Sequence, residues 1–205
     1  MKKASILRAF SLLPALALLA TSPARAGSAT WLQTPADSDW SNPNNWMPNT
    51  VPNSSTDTAT FGTSAITALS ITSTTDVASL TFQPGASSYS ITVLENQALT
   101  LHGTNNIVNN SGVTQSFTIA GVLYGFGTST LDATTPFEIL GGTSTRHYGT
   151  LWLMGGINLG TAHLDFEGGD GHRVSGGYGV FFSGSTGGSS TIVLHRGVNQ
   201  GTRAA

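Results

Sequence analysis

From residue 57 to residue 197 the chain keeps repeating one small pattern, a run of about five residues in which apolar and polar side chains alternate, closed off by Gly, Asn or Ser. The runs are DTATF (57–61), ASLTF (78–82), YSITVL (89–94), ALTLHG (98–103), QSFTIAG (115–121), TPFEIL (135–140), TLWLM (150–154), GINLG (156–160), AHLDF (162–166), GVFFSG (179–184) and TIVLHRG (191–197). A period of two is the signature of a strand with one buried face, and the intervening residues are turn formers. No segment after Ala26 carries apolar residues at helical spacing over three turns. The pattern predicts an all-β protein.

The runs recur at a further, longer interval. Leu80, Leu99, Phe117, Phe137 and Ile157 are spaced by 19, 18, 20 and 20 positions, and a rougher series passes through Ile91, Ile107, Leu131 and Leu151. Intervals of this size mark stacked repeats. A coil of about 19 residues with Gly and Asn corners is the unit of a parallel β-helix, a β-solenoid whose inward side chains stack along the axis. The first series is therefore expected to form one inner column, and Asn105, Asn106, Asn109 and Asn110 to serve as corners, where Asn tolerates left-handed backbone angles. A β-sandwich or jelly roll, whose strands also come every 8 to 12 residues, is the competing architecture.

The first 26 residues read as a secretory signal peptide: MKK supplies a basic start, ILRAFSLLPALALLA an apolar run, and Ala24-Arg25-Ala26 a cleavage site, so the mature chain is expected to begin at Gly27. Four of the eight basic residues lie in that segment, leaving 4 basic against 10 acidic side chains and no lysine. Without a basic patch the mature chain has nothing with which to neutralise phosphates, and nucleic acid is excluded as a partner. There are no cysteines. Stability has to come from packing and backbone hydrogen bonds, for which the remaining length suffices in one domain.

Residues 27–56 differ in composition from the alternating runs. Trp31, Trp40 and Trp46 stand in a stretch of Asn, Pro, Ser and Thr ahead of the first run. A solenoid has an exposed first coil with an unpaired strand edge, and that edge needs a cover. We expect 27–56 to be an N-terminal cap on a solenoid domain of residues 57–205, with the three tryptophans folded over its end. The alternative is a sugar-stacking platform made of the same rings.

The order W…DW…NW…VP…D.A.F, followed by V.SL.F…Y.I……L.L.G…I.N.SG..Q.F.I, resembles the beginning of autotransporter-type passenger domains and of secreted bacterial proteins with autotransporter-associated β-strand repeats. It spans roughly residues 31–121. The resemblance implies a right-handed parallel β-helix at the surface of a Gram-negative bacterium or secreted from it, structural or adhesin-like in function, with a surface glycan or host-cell ligand as partner. Such passenger domains run on to a membrane β-barrel, for which this chain has neither the length nor the aromatic-rich final strands. A barrel encoded downstream would be its only attachment to the membrane.

Chemistry-bearing side chains are densest in AHLDFEGGDGHR, residues 162–173. His163, Asp165 and Glu167 alternate along a strand and share a face, with Asp170 and His172 in the following turn. The set could bind a cation or act in acid–base chemistry, but Leu164 and Phe166 on the opposite parity supply the core, which makes it simply the solvent face of an amphipathic strand. GGDGHR departs from the calcium-binding nonapeptide GGxGxD by placing Arg173 where the last carboxylate is needed. A pectinase-like enzyme or glycan-binding module is the second functional reading, yet only Asp76 and Glu95 are acidic between Thr58 and Leu131. His102, His147 and His195 sit singly. No catalytic residue, metal or cofactor is assigned from the sequence.

Overall fold

The computed structural model describes residues 27–104, 106–126, 136–139 (backbone only), 149–156, 159, 163–168, 176–181 and 184–195. The signal-peptide segment, Ile157, Asp170 and His172 lie outside them. In chain order the strands are β1 (Ala29–Trp31), β2 (Trp46–Met47), β3 (Ser54–Phe61), β4 (Ala68–Ile71), β5 (Thr75–Phe82), β6 (Ser90–Val93), β7 (Ala98–Leu101) and β8 (Ile107–Asn109). They continue as β9 (Ser116–Ile119), β10 (Val122–Phe126), β11 (Pro136–Ile139), β12 (Thr150–Met154), β13 (His163–Phe166), β14 (Tyr178–Phe181) and β15 (Thr191–Leu194).

From β3 onward successive strands alternate between two sheets, except that β7 and β8 both join the first. One sheet runs β2-β1-β3-β5-β7-β10-β12-β14 with β8 also beside β5, and the other runs β4-β6-β9-β11-β13-β15. Every pairing is parallel except β1 with β2. A chain that alternates between two parallel sheets is wound as a coil, and the fold is a β-solenoid of about 5 turns.

The inward parity of the strands whose side chains are described is mainly apolar, with Asp57, Thr75 and Asn109 as buried polar members of it. In the second sheet Leu69, Ile91, Phe117, Phe137, Leu164 and Ile192 fall in one register line. In the first sheet the lines are Ala59, Leu80, Ile107 and Leu99, Leu123, Leu151, Gly179. A Cβ on Gly179 would stand 2.7 Å from Cζ of Phe166, so the phenyl ring fills the space the glycine leaves.

The coil is longer than the sequence spacing suggests. From β3 onward the strand-to-strand steps vary from 20 positions, Phe117 to Phe137, to 28, Leu123 to Leu151, with coils about 26 residues apart. Of the expected column only Phe117 and Phe137 are stacked neighbours. Leu80 sits between Ala59 and Ile107, and Leu99 between Thr75 and Leu123. The 19-residue series mixes register lines and sheets: Leu80 and Leu99 lie on the first sheet but at different heights along β5, while Phe117 and Phe137 lie on the second.

Corners are also built differently from expectation. Among described non-glycine residues only Asn96 has a positive φ, 63°, whereas Asn106 and Asn109 are buried. The Nδ2 of Asn106 donates to the Phe126 carbonyl at 3.2 Å, and that of Asn109 to Val113 at 2.8 Å. At the corner after β9 a Cβ on Gly121 would overlap the carbonyl oxygens of Leu94 and Gln97, so only glycine fits where coil closes on coil.

The N-terminal segment closes the solenoid. β1 pairs in parallel with β3 and in antiparallel with β2, while Trp40 N–H donates to Ser70 O at 3.0 Å and Ser70 N–H to Ser38 O at 2.9 Å. The first strands of both sheets are thus paired rather than open. Trp31, Trp40 and Trp46 are each no more than 2% exposed. Their rings meet edge to face at 5.0 and 4.8 Å, and Trp46 lies 5.9 Å from Phe61 at the head of the core. Each indole N–H has an acceptor, the carbonyls of Ile66, Pro52 and Trp40 respectively, so burial leaves no donor unpaired. None of the three offers a face to a sugar.

The loop between these rings is tied by carboxylates. Asn45, fully buried, donates to Asp37 Oδ1 at 2.7 Å, and Asp39 Oδ1 accepts from the Thr72 hydroxyl at 2.7 Å. The hydrogen bond from Asn45 holds the Asp37 carboxyl below its ordinary range. Partial burial pushes Asp39 up, but bonds from Thr72 and Ser41 outweigh it and leave its carboxyl lowered as well.

Candidate functional site

The interior serves packing throughout, so chemistry has to be sought on the outward parity. In the early coils that parity is hydroxyl-rich: Thr58 beside Ser79 and Thr60 beside Thr81 on the first sheet, Ser70, Thr92 and Thr118 in line on the second. Thr58 and Ser79 hydroxyls lie 3.2 Å apart. Such rows satisfy a β-surface and present no titratable group.

Later coils depart from this on both sheets. On the first, the outward positions of β10, β12 and β14 are Tyr124 and Phe126, Trp152 and Met154, Tyr178 and Val180. Ring centroids run from His102 to Phe126 at 5.4 Å, Phe126 to Tyr124 at 6.3 Å, Tyr124 to Trp152 at 6.2 Å and Trp152 to Tyr178 at 6.2 Å. At the head of this strip His102 Nε2 is hydrogen-bonded to Asp76 Oδ1 at 2.9 Å. His102 and Tyr178 are exposed and the rings between them half-buried, which makes the strip an aromatic surface rather than a second core.

On the second sheet the line Ser70, Thr92, Thr118 continues through Glu138 to Asp165. Two positions beyond Asp165, Glu167 keeps the same parity. His195 comes directly after β15 and its N–H donates to Phe166 O at 2.9 Å, which extends the pairing and sets its imidazole beside both carboxylates. His195 Nε2 is 2.6 Å from Asp165 Oδ1 and 3.9 Å from Glu167 Oε1. One potential ligand atom from each of the three residues lies within 4.8 Å of the others, the one such group of three or more among the described residues.

Of the residues singled out from the sequence, Asp165 and Glu167 are brought together; His163 is exposed on the same strand but is not in that group. His195, read as solitary, completes it. Its partnership with Glu167, 28 positions earlier, matches the step from Leu164 to Ile192 and could be found only with that coil length in hand. The aromatic strip was likewise not read from the sequence, where GVLYGF carries no polar outward residue to mark it as a strand.

Comparison with protein-family models, with curated proteins and with solved structures returned no match. Function has to be argued from the surface alone.

Proposed function

We propose that the chain is a secreted, non-catalytic β-solenoid that acts as a structural or adhesive stretch of a bacterial envelope protein, as its resemblance to passenger domains implies. The observation that supports adhesion is the strip from His102 to Tyr178, an outward row of rings on a surface that elsewhere carries hydroxyls. A folded chain has no packing reason to leave these rings at the surface, and partly exposed aromatic patches mark interaction sites. The second reading, a glycan-binding module, is favoured by the same strip, because aromatic rings with few charges nearby suit the apolar faces of uncharged sugars.

The mature chain and its Trp152→Ala and Tyr124→Ala variants should be applied to bacterial and host cell surfaces and to a panel of neutral polysaccharides. Adhesion that falls in both variants while the β-structure signal persists supports the proposal. Release of reducing ends or unsaturated sugars by the parent chain would replace it with an enzyme, and adhesion indifferent to both substitutions would remove the strip from it.

A further inference from the structure

We propose that Asp165, Glu167 and His195 form a binding site for a first-row divalent transition metal of the Zn²⁺ type, which clips the coil of β15 to that of β13. The donor set is one imidazole nitrogen and two carboxylate oxygens. An imidazole selects for zinc and its neighbours over calcium or magnesium, which prefer oxygen alone.

Geometry supports this beyond mere proximity. Ligand atoms about 2.0 to 2.2 Å from a common ion stand roughly 3 to 4 Å from one another. Of the distances from Nε2, 3.9 Å lies within that range and 2.6 Å falls short of it, a difference that half-exposed side chains can take up. Asp165 Oδ1 is shielded from solvent and has no aligned hydrogen-bond donor, its near neighbour being the ion-pair partner His195 Nε2 at 2.6 Å. A cation between the two side chains would accept from both.

Charge points the same way, since a divalent ion would add two positive charges between the carboxylates of Asp165 and Glu167. The site would also hold a coil that packing holds weakly, since Ile192 and Leu194 of β15 are 46% and 75% exposed.

The test uses the mature chain, stripped with chelator and titrated with Zn²⁺ by calorimetry and native mass spectrometry. One Zn²⁺ per chain is expected, with affinity lowered more than about tenfold in Asp165→Asn and His195→Gln and unchanged in His163→Gln. Hydrogen exchange across residues 191–195 should slow on addition of Zn²⁺ in the parent and not in His195→Gln. If His195→Gln loses its β-structure signal, Glu167→Gln carries the comparison. Absence of Zn²⁺ binding, binding that survives both ligand substitutions, or Ca²⁺ binding indifferent to His195→Gln would each overturn the site and leave an ion pair in its place.

Discussion

The molecule uses its large aromatic rings in two opposite ways. At the N-terminal end Trp31, Trp40, Trp46, Phe61, Phe82 and Tyr89 form a buried stack, with Phe61 and Phe82 parallel at 5.0 Å and Tyr89 5.1 Å from Phe61. From β10 onward Phe126, Tyr124, Trp152 and Tyr178 line the outside. In the first group a ring replaces the missing coil above the core, and its energy goes into closing an end. In the second the interior is already filled by Leu123, Leu151 and Leu153, and the rings stand outside it, where the proposed adhesive function would use them.

Stability should therefore be concentrated in the first group and recognition in the second. Replacing Trp46 with Ala is the severest challenge to that division. It should cost about 3 to 5 kcal/mol, the range for removing a buried aromatic. Because each coil depends on its neighbours, hydrogen exchange should rise over β3 and β4 before it rises over β9. Uniform loss of protection along the chain would show that the end is not a separate unit.

A second contrast uses one residue type in one register line. Ile91 is fully buried and Ile192 is half exposed, so Ile91→Ala should cost about 2 to 5 kcal/mol and Ile192→Ala less than about 1 kcal/mol by chemical denaturation. Equal costs would mean that the last described coil is covered as well as the others.

Tyr89 sharpens the comparison through pH. Burial pushes its hydroxyl up to about 12 from an ordinary 10, and the neutral phenol donates to Gly62 O at 2.8 Å. The raised value means the folded chain keeps a proton that the unfolded chain loses. Its stabilisation is complete below pH 10 and lost as pH rises from there through about 12. The parent should lose stability across that window and Tyr89→Phe should lose less of it.

The smallest stability effect should come from Trp152→Ala, about 1 kcal/mol or less, with loss of adhesion as the main consequence. A destabilisation approaching that of Trp46→Ala would show that the strip serves packing after all.

Much of the fold is legible in the residues. DTATF, ASLTF, YSITVL, QSFTIAG and AHLDF all contain strands, because apolar-in and polar-out alternation directly reports a half-buried strand. β4 and β10 escaped that reading. In β10 the inward positions are Leu123 and Gly125 and the outward ones Val122, Tyr124 and Phe126, so neither face is marked by the Ser, Thr or charged residues that usually alternate with the apolar ones. The strand that begins the candidate binding strip was hidden by the same residues that make it one. The tryptophans ahead of the first run, by contrast, could be connected with an end that needs covering.

The sequence by itself determined that this chain is all-β, which parity of each recognised run faces inward, and that Asp165 and Glu167 share a face; these are local properties, set by a period of two along a single strand. Only the tertiary structure decided the coil length, which sheet each strand joins, and hence that His195 stands beside Glu167 and that the ring of Trp152 meets Tyr124 in register and Tyr178 on the diagonal. Register between strands 20 to 28 residues apart is set by backbone hydrogen bonds and by corners such as Gly121, and backbone groups are the same at every residue. Side-chain spacing carries little of that information, which is why about 19 was read where the chain winds at about 26.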